Sequence, residues 1–253
     1  VDISLERFKP NLPPASDNLE EVHLQWGFIP AASETRLFQR KLPAAKEFAK
    51  HNSIDRVIFQ GKKKLAIITS GKAYLDIRQA LDELGLTEKK CKEIGISLYK
   101  VGMVWPLEPD NILDFVDGHS EVLVIEEKRP IIEDQLIKYL FNKANRPIII
   151  GKNDENGDDL IPSDGELSPS FLSLVIAKRI QNLSIEIDLT SRIKDIEELI
   201  SNIQNSPGSD LFRLPSFCAG CPHNTSTNIP EDSFAFGGIG CHGMATFMPE
   251  RKT

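Results

Sequence analysis

Cysteine is scarce in this chain, basic charge is in deficit, and no long apolar run is present. Four cysteines in 253 residues are too few for a secreted disulfide scaffold. Three of them, Cys218, Cys221 and Cys241, crowd toward the C-terminal end, a usage that fits thiols serving a metal in a reducing compartment. Lys and Arg number 30 against 37 Asp and Glu, a formal net charge of -7. That sign repels a phosphate backbone, and no Lys/Arg stripe is long enough to reverse it locally, so nucleic acid is not an expected partner. The longest apolar runs, LAIIT and EVLVI, are strand-sized. A membrane span needs about 20 residues, so no membrane association is expected. The opening VDISLERFKP has neither a basic n-region nor an apolar h-region, no secretory signal is expected, and the chain is read as cytoplasmic. No Ser/His/Asp or Cys/His arrangement with nucleophile character can be assembled from the sequence.

What is present is an alternation. Residues 1–40 are proline-broken and weakly periodic, which suits an extended arm, and LPAAKEFAKHN predicts a helix with Pro43 in its first turn. From Lys64 four strand-and-helix units succeed one another. LAIITSG is a buried strand, and KAYLDIRQALDELGL an amphipathic helix with Leu75, Ile77, Ala80, Leu81 and Leu84 inward. GISLYKVG, EVLVIEE and RPIIIG are the next strands, with helices at WPLEPDNILDFVDG, IIEDQLIKYLFNKAN and SPSFLSLVIAKRIQ. Short apolar strands separated by such helices indicate crossovers on a parallel sheet. The expected fold is α/β: an open, mostly parallel sheet with helices on both faces, plus an irregular Cys-rich C-terminal segment. Residues 64–182 are expected to fold with or without the C-terminal segment. A charged helix, TSRIKDIEELISNIQN, then leads to a break at Pro207 and Gly208.

The Cys-rich segment carries the chemistry. In a CxxC pair two intervening residues let both thiolates turn toward one metal, and Gly220 relieves the backbone between Cys218 and Cys221. Cys241 can join them if the loop between doubles back. Three thiolates suit an iron–sulfur cluster or zinc, both of which want a fourth ligand. For zinc the candidates are His242, directly after Cys241, and the better-placed His223; reduced, unliganded thiols are the third alternative. FGGIGCHGMA has glycines at 237, 238, 240 and 243 after an expected strand, SFAF. Such density lets a ligand press on backbone N–H groups, and equally suits a tight turn beside a metal site. Cys91, in the polar EKKCKEIG, is expected to be a partly exposed thiol.

Other polar groups invite structural explanations first. Glu126, Glu127, Lys128 and Arg129 stand at the carboxyl end of the third strand, where open sheets bind ligands, though a solvated turn capping the next helix accounts for them. Asp117 and His119 flank a glycine at a helix end, and TSG at 69–71 reads as a phosphate-friendly turn or a simple N-cap.

CAGCPHNTST with GGIGCHGMAT resembles the opening of the thiamine-diphosphate-binding domain in the 2-oxoacid:acceptor oxidoreductases, in particular the long, fused indolepyruvate ferredoxin oxidoreductases. KLPAAKEFA, SGKAYLDIRQAL, LYKVGMVWPLEP, VIEEKRPIIEDQL and DGELSP resemble that family's transketolase-C-terminal-like domain, so the likeness covers the chain from about residue 40 onward. It implies a linker and helix from a preceding domain (1–60), a transketolase-C-terminal-like α/β domain (61–185), a helical linker (186–215) and the truncated start of the thiamine domain (216–253). It implies oxidative decarboxylation of a 2-oxo acid such as indolepyruvate, with thiamine diphosphate, Mg²⁺ and a [4Fe-4S] cluster as cofactors. Coenzyme A and ferredoxin would be partners, and a homo-oligomer the assembly. Cys218, Cys221 and Cys241 would be three cluster ligands, and Gly237, Gly238, Ile239 and Gly240 would lie against thiamine diphosphate. The family's Gly-Asp-Gly segment, fourth cluster cysteine and activating acid have no counterpart here, so the chain is expected to be a fragment, inactive alone. The competing expectation is a non-catalytic α/β interaction module with a Cys/His zinc site.

Overall fold

The computed structural model describes residues 9–13, 30–205 and 215–252. The chain falls into two compact units, one reaching to Leu199 and one beginning at Ile200.

The first unit opens on helix α1 (Pro30–Arg36), which continues through a π-helical turn (Leu37–Lys41) into α2 (Leu42–His51). Helix thus begins about ten residues before the expected end of the arm. Residues 31–41 hold neither proline nor glycine, so nothing in their backbone stops a helix. Five strands form one sheet: β1 (Arg56–Phe59), β2 (Leu65–Ser70), β3 (Ile96–Val101), β4 (Glu121–Ile125) and β5 (Ile148–Ile150), in the order β1-β3-β2-β4-β5. The four expected strands are all parallel to one another. The fifth, β1, is antiparallel to β3 at the sheet margin. It escapes the sequence pattern because it is four residues long, half exposed and adjacent to a basic tract.

Helices α3 (Gly71–Glu83), α4 (Glu88–Ile94), α5 (Pro109–Val116), α6 (Ile131–Leu140) and α7 (Pro169–Asn182) surround the sheet, and α8 (Thr190–Gln204) comes after them. Ala66, Ile68, Val122 and Val124 face Ile112, Phe115 and Val116 of α5 and Ile132, Leu136 and Leu140 of α6 in one continuous core. The alternate strand residues Leu65, Ile67 and Leu123 are buried on the opposite face, where α3 packs on α7. Helices therefore cover both faces, as expected. Each fully buried Leu or Ile contributes roughly 1.5–3 kcal/mol.

Two residues depart from expectation. Leu75 is 64% exposed. The buried stripe of α3 is Ala73, Asp76, Ile77, Ala80 and Leu81, and a residue two positions from Ala73 lies about 200° round the helix. Cys91 is fully buried, not partly exposed. The polar EKKCKE folds as α4, which turns Cys91 inward with its Sγ 3.6 Å from Leu86 O and leaves Glu88 and Lys92 paired at 2.7 Å on the outer face.

A buried ion pair ties α7 to the sheet: Arg179 and Glu121, each with side chains 2% exposed, meet at 2.6 Å, and Arg179 also reaches Glu155 at 2.8 Å. Charge that would be costly alone is matched on all sides there. At the sheet margin the Asp55 carboxylate accepts from Gly102 N–H at 2.7 Å and Tyr99 Oη at 3.3 Å, and burial with that carboxylate pushes the Tyr99 phenol well above its usual range.

Candidate functional site

The second unit contains all three clustered cysteines. Cys221 N–H donates to Cys218 O at 3.0 Å, closing the CxxC turn over Gly220, whose φ of +74° is the left-handed conformation glycine adopts freely. A short helix, α9 (His223–Ser226), starts directly behind it. Cys218 and Cys241 are exposed and Cys221 is half-buried; all are free thiols. Cys241 opens a 3-10 helix (Cys241–Phe247), entered through Gly240 with φ +151°, and Gly243 N–H donates to Gly240 O at 2.9 Å. From a second 3-10 turn (Pro249–Arg251), Arg251 donates to Asn224 O at 3.1 Å and to the Asn228 side chain.

SFAF is not a strand. Residues 233–236 run irregularly, with Phe234 and Phe236 exposed at 72% and 93%. Alternating apolar residues make a strand only where a second strand offers its ladder of amides, and none pairs with these among the described residues.

Two imidazoles sit between the cysteine turn and the glycine turn. His223 Nδ1 is 3.2 Å from Cys221 Sγ, so the histidine that the sequence places two residues after the CxxC does meet its second sulfur. The His223 ring stacks on Phe217 at 5.6 Å and lies 6.3 Å from the ring of His242. His242 Nε2 accepts from Gly238 N–H at 3.2 Å. The adjacency of His223 to the CxxC was visible in the sequence; the approach of His242 depends on the turn at Gly240. Ile239 stands fully exposed at the tip of the glycine turn.

The donor types suit a thiophilic metal or an iron–sulfur centre. Two thiols share the CxxC turn and the third lies on the 3-10 helix. Among the described residues, however, no three His, Cys, Asp or Glu side chains are gathered as a metal would require.

The polar groups of the sheet have structural occupations. Glu126 is buried rather than solvated, and its carboxylate accepts from Ile132 N–H at 2.9 Å and Glu133 N–H at 3.1 Å at the start of α6. Burial holds its carboxyl above the ordinary range despite those bonds. The carboxyl edge of the sheet is crossed by residues 152–168: Lys152 reaches Glu126 O and Pro162 O at 2.5 and 3.0 Å, Lys72 reaches Leu167 O at 3.1 Å, and Lys128 reaches Gly165 O. His119 is buried against Ser97 Oγ at 2.9 Å, a packing role. Ser70 occupies the N-cap position of α3 but makes no side-chain cap bond.

No helix among the described residues is long and apolar enough to cross a membrane. Residues 55–205, more than half of the chain, match the family model described as the indolepyruvate oxidoreductase domain. The chain is 28% identical over 206 residues to "Indolepyruvate oxidoreductase subunit IorA" of Thermococcus kodakarensis, covering 76% of this chain and 28% of that protein. It is 27% identical over 193 residues to the subunit of the same name from Pyrococcus horikoshii, covering 74% and 26%. The Methanothermobacter thermautotrophicus subunit is 27% identical over 201 residues, covering 78% and 28%. The chain thus spans little more than a quarter of the length of these relatives. Among solved structures, a 2-oxoglutarate:ferredoxin oxidoreductase from Magnetococcus marinus aligns at a TM-score of 0.37 and 20% identity, covering 61% of this chain and 24% of that one. A split-gene transketolase, described as an inactive beta4 tetramer, aligns at 0.35 and 14%, covering 53% and 42%. Scores this low carry no weight on fold or function. The family match ends at residue 205, before the first clustered cysteine.

Proposed function

The chain belongs to the indolepyruvate oxidoreductase family, and from that premise we propose that it is part of an enzyme that oxidatively decarboxylates an aryl 2-oxo acid such as indolepyruvate. Coenzyme A would take the acyl group and ferredoxin the electrons. The α/β unit is the connecting domain in this reading, the cysteine unit is the beginning of the cofactor domain, and the chain alone is inactive. The observation that carries it is the family match over residues 55–205.

In such an enzyme thiamine diphosphate with Mg²⁺ supplies the carbanion-stabilising chemistry, and a [4Fe-4S] cluster the one-electron path. The role of this chain is to present donors. Cys218 and Cys221 offer two thiols from one turn, and Cys241 a third from the adjoining 3-10 helix. The backbone of Gly237, Gly238, Ile239 and Gly240 offers close approach to the thiamine cofactor, as the resemblance implies. Association of two copies through the sheet unit and a cytoplasmic location belong to the same proposal.

The test is metal content. The chain is purified anaerobically with iron and sulfide, and iron, sulfide and zinc are quantified per chain. Iron with acid-labile sulfide, lost when Cys218, Cys221 and Cys241 are all replaced by serine, is the expected result, with labile loading because the fourth ligand is not among these residues. Stoichiometric zinc on Cys and His ligands, with no iron uptake, would overturn the cluster assignment in favour of a zinc-bearing interaction module.

A further inference from the structure

We propose that His223 is a positioning residue for the Cys221 sulfur and that, together with His242, it links the CxxC turn to the glycine turn. As a device of the cysteine site this rests on the ligand assignment above; the contacts do not. His223 Nδ1 lies 3.2 Å from Cys221 Sγ, a hydrogen-bonding separation for sulfur whichever atom carries the proton. Stacking on Phe217 at an interplanar angle of 22° holds the ring in that orientation. The His242 ring is 6.3 Å away, within the range of aromatic pairs, and its Nε2 accepts the Gly238 amide. Sulfur, imidazole, imidazole and amide therefore stand in series.

The glycines make this arrangement possible. Of Gly237, Gly238, Gly240 and Gly243, only Gly240 has a positive φ, so backbone conformation does not explain their density. Space does. A Cβ at Gly238 would stand 3.3 Å from His242 Nε2, and one at Gly240 would stand 3.1 Å from its Cε1. A Cβ at Gly243 would meet Gly238 O at 2.7 Å. The turn is thus shaped around an imidazole that occupies the amide of Gly238. A change in charge or bonding at the Cys221 sulfur reaches that amide through two rings, and by linkage a ligand that takes the amide alters the environment of the sulfur in return.

The test uses the metal-free chain with Cys218→Ser and Cys241→Ser, in which Cys221 is the accessible thiol because Cys91 is buried. Methyl methanethiosulfonate caps it as a methyl disulfide, releasing methanesulfinate, and mass confirms one addition. The expected result is a shift of the Gly238 and Gly240 amide resonances on capping. The shift is lost with His223→Phe, which keeps a ring without the nitrogen, and is recovered in part with His223→Asn, which restores a polar atom near Nδ1. Amides that stay in place with His223 intact, or move equally with His223→Phe, overturn the inference. Absence of iron uptake would sink the ligand assignment while leaving this readout decisive; unmoved amides in a chain that does take up iron would sink this inference alone.

Discussion

Cys91 and Cys221 carry the same thiol in opposite settings. Burial pushes the Cys91 thiol up to about 12, so almost none of it is thiolate at neutral pH. Cys221 is half-buried beside an imidazole, and Cys218 and Cys241 are open to solvent. A chromogenic disulfide reagent should therefore titrate three thiols in the native chain and a fourth only on unfolding; four fast equivalents would contradict the burial of α4. His119 gives a pH signature of its own. Its imidazole has an ordinary value of 6.5, and burial holds it lower in the fold. Protons therefore bind the unfolded chain more readily, so this contribution to stability is complete above about pH 6.5 and is lost as pH falls through that value toward the folded one. Urea midpoints measured between pH 7.5 and 5 should fall for the native chain and fall less for His119→Gln, which keeps a polar atom toward Ser97. Equal slopes would show that His119 is not the group responsible.

Among the elements, β1 is the one whose place depends most on its surroundings. It borrows its ladder from β3, and a glycine near its end permits the approach: Gly61 N–H donates to Ser97 Oγ at 3.0 Å, and a Cβ at Gly61 would stand 2.5 Å from Ile96 O. The obstacle is backbone, which cannot swing aside as a side chain can. Gly61→Ala should cost about 1–3 kcal/mol through overpacking, with faster amide exchange confined to Arg56–Phe59 and the facing part of β3. Exchange unchanged there would mean that the margin tolerates the methyl group. The parallel strands and their helices were legible from period and punctuation because each is a buried apolar run between polar turns. β1 was not, since a short, half-exposed strand has no pattern to display. Leu75 shows the same limit inside a recognised helix, where composition names apolar residues and only the phase of the stripe says which face inward.

At the scale of the whole molecule, residues 64–182 are expected to fold with or without the C-terminal segment, but as an isolated piece they lack contacts that lie N-terminal to them. The cut at 64 removes β1 and with it Phe59, which is buried, and Asp55, which ties the end of β3. It also removes α2, which packs on α5. A chain of residues 30–205 should unfold cooperatively, with a urea midpoint close to that of the full chain, whereas residues 64–182 should unfold at clearly lower urea. Equal midpoints for the two pieces would show that the marginal strand and α2 are dispensable.

The sequence by itself determined the α/β class, the four parallel strands, the helices that succeed them and the residue types of the cysteine segment. These depend on local periodicity and on chemistry that each side chain carries wherever it lies. Tertiary structure alone decided that Cys91 is buried, that Glu126 does its capping from a buried position, that a loop tied by lysines crosses the carboxyl edge of the sheet, and that His242 reaches the Gly238 amide. Each of these depends on where the backbone brings groups distant in sequence, or on the turn between close ones, and hydrophobic period carries no information about either.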